Sequence, residues 1–156
     1  MTATRTTESP AAAAGRLGTL PAWPVRTTAI LATLGDGEPH TIPVSAPVRA
    51  GNRRILLNLN RAHDSLQRLR ERPRVALTIL AADNLAFTVR GPAHIIQERM
   101  TTAPDYAAIA IDVEQIDDHR QPAFQVEAGV DRRWLDETER DALGQRVRSL
   151  TALAAS

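Results

Sequence analysis

Asn58-Leu59-Asn60-Arg61-Ala62-His63-Asp64-Ser65-Leu66-Gln67-Arg68-Leu69-Arg70-Glu71-Arg72-Pro73-Arg74-Val75-Ala76-Leu77 reads as a strand, a polar loop, a short helix and a second strand. Asp64 or Ser65 can cap the helix, because a short oxygen-bearing side chain satisfies amide groups that the first turn leaves without partners. Leu66 and Leu69 give it a narrow apolar stripe. Pro73 ends it near Arg72, since the pyrrolidine ring pushes the preceding residue out of helical space.

On either side of this unit the turn residues divide 28–130 into segments of strand length. Thr28 to Leu34 is a first strand, and Gly35-Asp36-Gly37-Glu38 follows with residues that accept positive φ in a tight hairpin. Pro39 to Val48 is the returning strand, with Ile42, Val44, Ala46 and Val48 on one face and Thr41, Pro43, Ser45 and Pro47 on the other. Two prolines on one face remove two ladder donors, so this strand belongs at an edge, at a bulge or beside a ligand. Ala50-Gly51-Asn52 turns into a third strand over Arg54 to Leu59. Val75 to Leu80 and Leu85 to Ile96 are a fourth and fifth, joined at Ala82-Asp83-Asn84, with Tyr106 to Ile116 a sixth and Ala123 to Val130 a seventh. A last helix starts near Asp136, with Glu139 three residues on, and carries Leu143, Val147 and Leu150 on one face. The pattern is a mainly β (α+β) barrel of antiparallel strands, with a short helix after the third strand and a C-terminal helix on the barrel or on a partner chain.

A chain of 156 residues with 43% hydrophobic and 24% charged residues suits one globular domain. Residues 1–15 read as a disordered tail, 16–135 as the barrel and 136–156 as the C-terminal helix. Only five residues are aromatic, so the core rests on Ile, Leu, Val and Ala, and few platforms exist for stacking bases. Nineteen Arg and no Lys face eighteen acidic residues, a net charge of +1, so nucleic acid is not an expected partner. Without Cys there is no disulfide or thiolate metal site. Residues 1–15 lack a secretory h-region and no apolar run reaches bilayer length, so a cytoplasmic protein with no membrane partner is expected. His40, His63, His94 and His119 lack paired metal spacing, and no metal is expected. The chain has no G-x-S-x-G, P-loop or G-x-G-x-x-G.

The junction from Asn58 to Ser65 is the most informative for function. The amino terminus of a helix with Arg and His beside it is an anion site, because free amides and the positive end of the dipole point the same way. The other reading is plain: Asp64 and Ser65 cap the helix and its arginines are solvated. Arg90 reads as a rim charge awaiting a carboxylate, Asp117-Asp118-His119-Arg120-Gln121-Pro122-Ala123-Phe124 as a turn between late strands, and Trp134 as an anchor or a stacking partner for Arg132 or Arg133.

The helix pattern xLxxLRxxPRVAL, the hairpin ILATLGDGEPHTIPV and the later strand FTVRGPAHII together resemble the split β-barrel superfamily of flavin and deazaflavin oxidoreductases named after pyridoxamine 5'-phosphate oxidase. The likeness spans roughly residues 20–130. It implies a homodimer that binds FMN, or alternatively a deazaflavin or haem, between its subunits. It also implies hydride transfer to or from a small-molecule substrate, with a non-catalytic flavin- or haem-binding module as the alternative. Carried over, it puts Pro43, Val44 and Ser45 along the isoalloxazine ring. Asn58, Asn60, Arg61, His63 and Ser65 would surround the ribityl chain and phosphate. No catalytic side chain is implied. Where many relatives carry Lys this chain has Ser65, with Asp64 beside it, and Arg61 offers a guanidinium fork in compensation.

Overall fold

The computed structural model describes residues 15–156. Its elements run β1 (Thr28–Gly35), β2 (Glu38–Ser45), β3 (Val48–Arg49), β4 (Arg54–Asn60), α1 (Asp64–Glu71), β5 (Arg74–Ala81), β6 (Leu85–Gln97), β7 (Tyr106–Asp112), β8 (Gln115–Asp118) and α2 (Glu137–Ala154). The strands form one antiparallel sheet in the order β2-β1-β5-β6-β7-β4-β3, with β8 paired to β6. The architecture is mainly β with a short and a C-terminal helix, as expected, and the sheet is not closed. Its two edge strands, β2 and β3, are neighbours in sequence, so the sheet curls until its edges meet at one corner. Of the tail expected over 1–15, only Gly15 falls within the described residues, and its carbonyl accepts from the Asp118 amide at 3.1 Å.

The hairpin and its turns form where the sequence places them. Asp36 and Gly37 take φ of 50° and 77°, and Asp83 and Asn84 take 64° and 58°, the left-handed values such turns need. The expected strand over Pro39–Val48 is instead broken at Ala46, whose φ is 53° and whose amide donates to the Thr27 carbonyl at 2.8 Å. Its first part becomes β2, an edge strand as its prolines require, and its last part becomes β3 on the opposite edge. The short helix therefore follows the fourth strand.

The expected strand Tyr106–Ile116 breaks as well. Arg53 donates from Nε to the Val113 carbonyl at 3.1 Å and from Nη1 to the Gly18 carbonyl at 2.7 Å, holding the chain where β7 ends. Gln115–Asp118 then leaves β7 and pairs with β6 over Phe87–Arg90. Ala123–Val130 forms no strand. It runs as a strap held to the turn after β5, where the Val126 carbonyl accepts from the Asn84 amide and the Val126 amide donates to Asn84 Oδ1, both at 3.0 Å.

The main core lies inside the curled sheet and includes Leu31, Ile55, Leu57, Leu77, Ile79, Phe87, Val89, Ile109 and Ile111, with Leu66 and Leu69 of α1 closing one end. Alternation decides this, since Ile55, Leu57 and Leu59 of β4 point inward while Leu56 and Asn58 point outward. A second cluster of Leu56, Met100, Ala108, Ala110 and Leu150 lies outside the sheet, under α2. Asp136 caps α2, its carboxylate accepting from the Thr138 amide at 2.9 Å and the Glu139 amide at 3.4 Å. Asp136→Ala should therefore cost about 1 kcal/mol in urea denaturation; an unchanged midpoint would mean that packing alone holds the helix. Among the described residues no helix is long and apolar enough to cross a membrane.

Candidate functional site

The loop between β4 and α1 is built by Asn60. Its Oδ1 accepts from the Ala62 amide at 2.9 Å and its carbonyl from the His63 amide at 3.0 Å, which turns the chain sharply into the helix. His63 is the N-cap residue and makes no side-chain cap, so the expected cap by Asp64 or Ser65 does not form. Both residues lie inside the first turn. Asp64 is exposed there, whereas Ser65 is buried, with its Oγ accepting from Arg68 Nη2 at 3.0 Å. Arg68 also donates from Nε to Thr33 Oγ1 at 2.9 Å, which ties α1 to β1.

Two sets of donors are thereby left short of acceptors. The first turn of α1 has no side-chain cap, and Arg61 Nε is buried without a hydrogen-bond partner. Buried donors without partners are uncommon and point to an acceptor that the protein itself does not supply. Phosphate oxygens are acceptors of the kind that both donor types take.

The remaining expected residues divide between two places. Pro43, exposed, and Val44, buried, lie on edge strand β2, which touches β4. Ser45 ends that strand and accepts from Arg132 Nη1 at 2.7 Å. Asn58 faces outward from β4 beneath α2, where its Oδ1 accepts from Arg146 Nε at 2.9 Å. The Arg146 guanidinium lies 3.9 Å from the centre of the Tyr106 ring. Asn60, Arg61, His63 and Ser65 thus share one loop and helix start, Asn58 adjoins α2, and Pro43, Val44 and Ser45 form a separate segment at the sheet's edge.

Arg146 was missed in the sequence, although a signal was there. It falls three residues after Leu143 and four before Leu150, on the face expected to be buried, and it is 8% exposed. Arg68, half-buried against Ser65 and Thr33, gives no such signal. Arg90 does meet a carboxylate, donating from Nε to Asp117 at 3.0 Å, and Arg132 does lie over the Trp134 ring, at 5.3 Å. Asp117 and Asp118 belong to β8 rather than to a turn. Burial pushes the Asp117 carboxyl up, but hydrogen bonds from Gln115 and Arg90 outweigh it and leave the group below its ordinary value. The Arg120 guanidinium holds Asp118 below the usual range too. His119 Nε2 lies 2.8 Å from Thr88 Oγ1.

Comparison with known proteins places this geometry. An F420 reductase has a similar fold, with a TM-score of 0.53 at 16% identity over 60% of this chain and 91% of that one. HupZ of Group A Streptococcus matches with a TM-score of 0.51 at 18% identity over 67% and 90%. General Stress Protein 26 of Bacillus anthracis str. Sterne gives 0.50 at 16% identity over 62% and 87%. No curated protein matches. At these identities the solved structures show a shared fold. The family model described as pyridoxamine 5'-phosphate oxidase matches residues 22–121, from the approach to β1 to just beyond β8. With well over half its length matched, the chain belongs to the pyridoxamine 5'-phosphate oxidase family.

Proposed function

We propose that this protein binds a flavin, FMN in the first instance, at a site completed by a second copy of the chain, and transfers a hydride to or from a small organic substrate. The buried Arg61 Nε without an acceptor carries the reading, because it sits beside an uncapped helix start where a phosphate would satisfy both. Asn60 shapes the loop that presents those donors, and His63 stands at the N-cap beside them. Pro43, Val44 and Ser45 would lie along the ring system, where a missing amide donor allows close approach of a flat ligand. When bound, the flavin supplies the hydride chemistry, and the protein holds and orients cofactor and substrate. The homodimer is supported by Ile30, Leu34 and Leu80, large apolar side chains exposed on β1 and β5 by 43%, 44% and 49%.

A deazaflavin in place of FMN is a closely related reading, and the F420 reductase among the structural neighbours supports it. A non-catalytic flavin- or haem-holding module is favoured by one local observation. Asp64 in the first turn of α1 repels a phosphate, and the Ser65 hydroxyl is already engaged by Arg68. The absorption spectrum of the purified protein separates these readings by its flavin, deazaflavin or Soret bands. FMN is expected to bind at one per chain, and Arg61→Ala should weaken it by about 1.5–3 kcal/mol, the size of a charged hydrogen bond. Titration followed by flavin fluorescence checks this. Undiminished affinity in the variant would remove Arg61 from the site, and failure to take up either FMN or deazaflavin would remove the flavin reading.

A further inference from the structure

Arg26, Arg132, Arg140 and Arg148 line one cavity of about 490 Å³, and Asp131 is the sole carboxylate on its wall. The volume lies within the roughly 300–1,000 Å³ of small-molecule sites. The cavity is assembled from four distant parts of the chain: the approach to β1, the corner between β2 and β3, the strap before α2, and one face of α2 itself. The remaining wall is apolar, with Val25, Ala46, Val130, Leu143, Val147 and the Trp134 ring. The whole chain carries a net charge of only +1, so four guanidinium groups against one carboxylate are a local concentration rather than a general basicity.

The partners of these arginines sharpen the point. Arg132 is positioned by Ser45 Oγ at 2.7 Å and by the Trp134 ring, neither of which neutralises its charge. Arg140 pairs at 3.6 Å with Asp141, its neighbour on the exposed helix surface, a contact of little energetic weight. Arg26 and Arg148 have no ion-pair partner among the described residues. Gly144 also lies on the wall, inside α2, where glycine costs helix stability relative to alanine and where a Cβ would meet Arg148 Nη1 at 3.4 Å. A concave site of one charge sign with apolar walls concentrates ligands of the opposite sign.

We infer that this cavity binds a small organic anion with an apolar, ring-sized body, such as an aromatic carboxylate. The carboxylate is held by Arg26 and Arg148, and the body packs on Val147, Leu143 and Trp134. The site is separate from the β4–α1 junction and stands whether or not a flavin binds there. It abuts Ser45, so on the flavin reading the anion would lie next to the segment assigned to the ring.

Calorimetric titration of the full chain with 2-naphthoate and with its neutral counterpart 2-naphthamide tests this. The acid should bind one per chain, about tenfold or more tighter than the amide, the scale of a charge-assisted hydrogen bond. The Arg26→Ala/Arg148→Ala double variant should lose that preference while its melting temperature without ligand stays unchanged, because both side chains are exposed. Equal affinity for acid and amide, no saturable binding, or a preference that survives the double variant would each overturn the inference. Prior saturation with FMN should leave 2-naphthoate binding unchanged, whereas competitive displacement would assign the cavity to the flavin and overturn the separate site. A protein that takes up no FMN but still selects 2-naphthoate fails the flavin reading and supports the cavity.

Discussion

Gly91→Ala should destabilise the fold by about 3 kcal/mol or more, the upper end of what overpacking costs. Gly91 is buried at the point where β6 passes from pairing with β8 to pairing with β7. A Cβ there would fall onto the Asp112 carbonyl oxygen and lie 3.0 Å from its carbon and 3.2 Å from the Glu114 amide nitrogen. These are backbone atoms, and they cannot rotate away as a side chain would. Glu114 is further fixed by its amide, which donates to the Arg90 carbonyl at 2.9 Å. The glycine is needed here for space, because its φ is not among the positive values in the chain. A loss of this size lowers the melting temperature by roughly 6–12 °C for a domain of this length. Urea and thermal denaturation read it directly, and a loss under about 1 kcal/mol would mean that the crossing has slack.

Leu150→Ala should cost about 2–5 kcal/mol, the range for a large-to-small change at a fully buried site. Leu150 is 0% exposed and is the one fully buried residue of α2 in the outer cluster, against Leu56, Met100, Ala108 and Ala110. Its sheet neighbours Ala108 and Ala110 are too small to reach into the space it leaves, which only Met100, in the loop before β7, is flexible enough to fill in part. The outer cluster is the smaller of the two cores, and the loss should therefore appear first as loosening of α2. Limited proteolysis over 119–135 should quicken in Leu150→Ala, while Leu153→Ala, at a partly buried position, should show a smaller effect. Equal cleavage in both variants would mean that α2 is held elsewhere, with Arg146 on Asn58 and Tyr106 as the next attachment to remove.

The sequence does not show the space that Gly91 must leave, and it shows the burial of Leu150 without the surface that covers it. Gly91 stands in FTVRGPAHII as an ordinary interruption of a strand, and nothing near it in sequence announces that the chain around Asp112 crosses it. Its spacing with Leu143 and Val147 puts Leu150 on the packed face of the last helix. The same spacing places all three together, whereas the structure buries Leu150 under the sheet and leaves Val147 on the cavity wall. At the candidate site, Asn60, Arg61 and His63 are neighbours in sequence and remain neighbours in space. Ser65, their neighbour in sequence, turns inward instead and is engaged by the half-buried Arg68 one turn later.

The sequence by itself determined the elements whose causes are local. Alternation marks β1, β5 and β6, left-handed turn residues close the hairpins at Asp36-Gly37 and Asp83-Asn84, and Pro73 and Asp136 mark helix boundaries. Only the tertiary structure decided where the long strands break and what lies over the sheet. Ala46 leaves the strand to meet Thr27, and Val113 stops β7 because Arg53, 60 residues earlier, takes its carbonyl. Arg146 reaches Asn58 across 88 residues and Arg132 reaches Ser45 across 87. Period and turn chemistry act over a few residues and leave their mark in the sequence. A carbonyl taken by a distant guanidinium leaves none, so the corner of the sheet, the seat of α2 and the arginine-lined cavity exist only once the chain has folded.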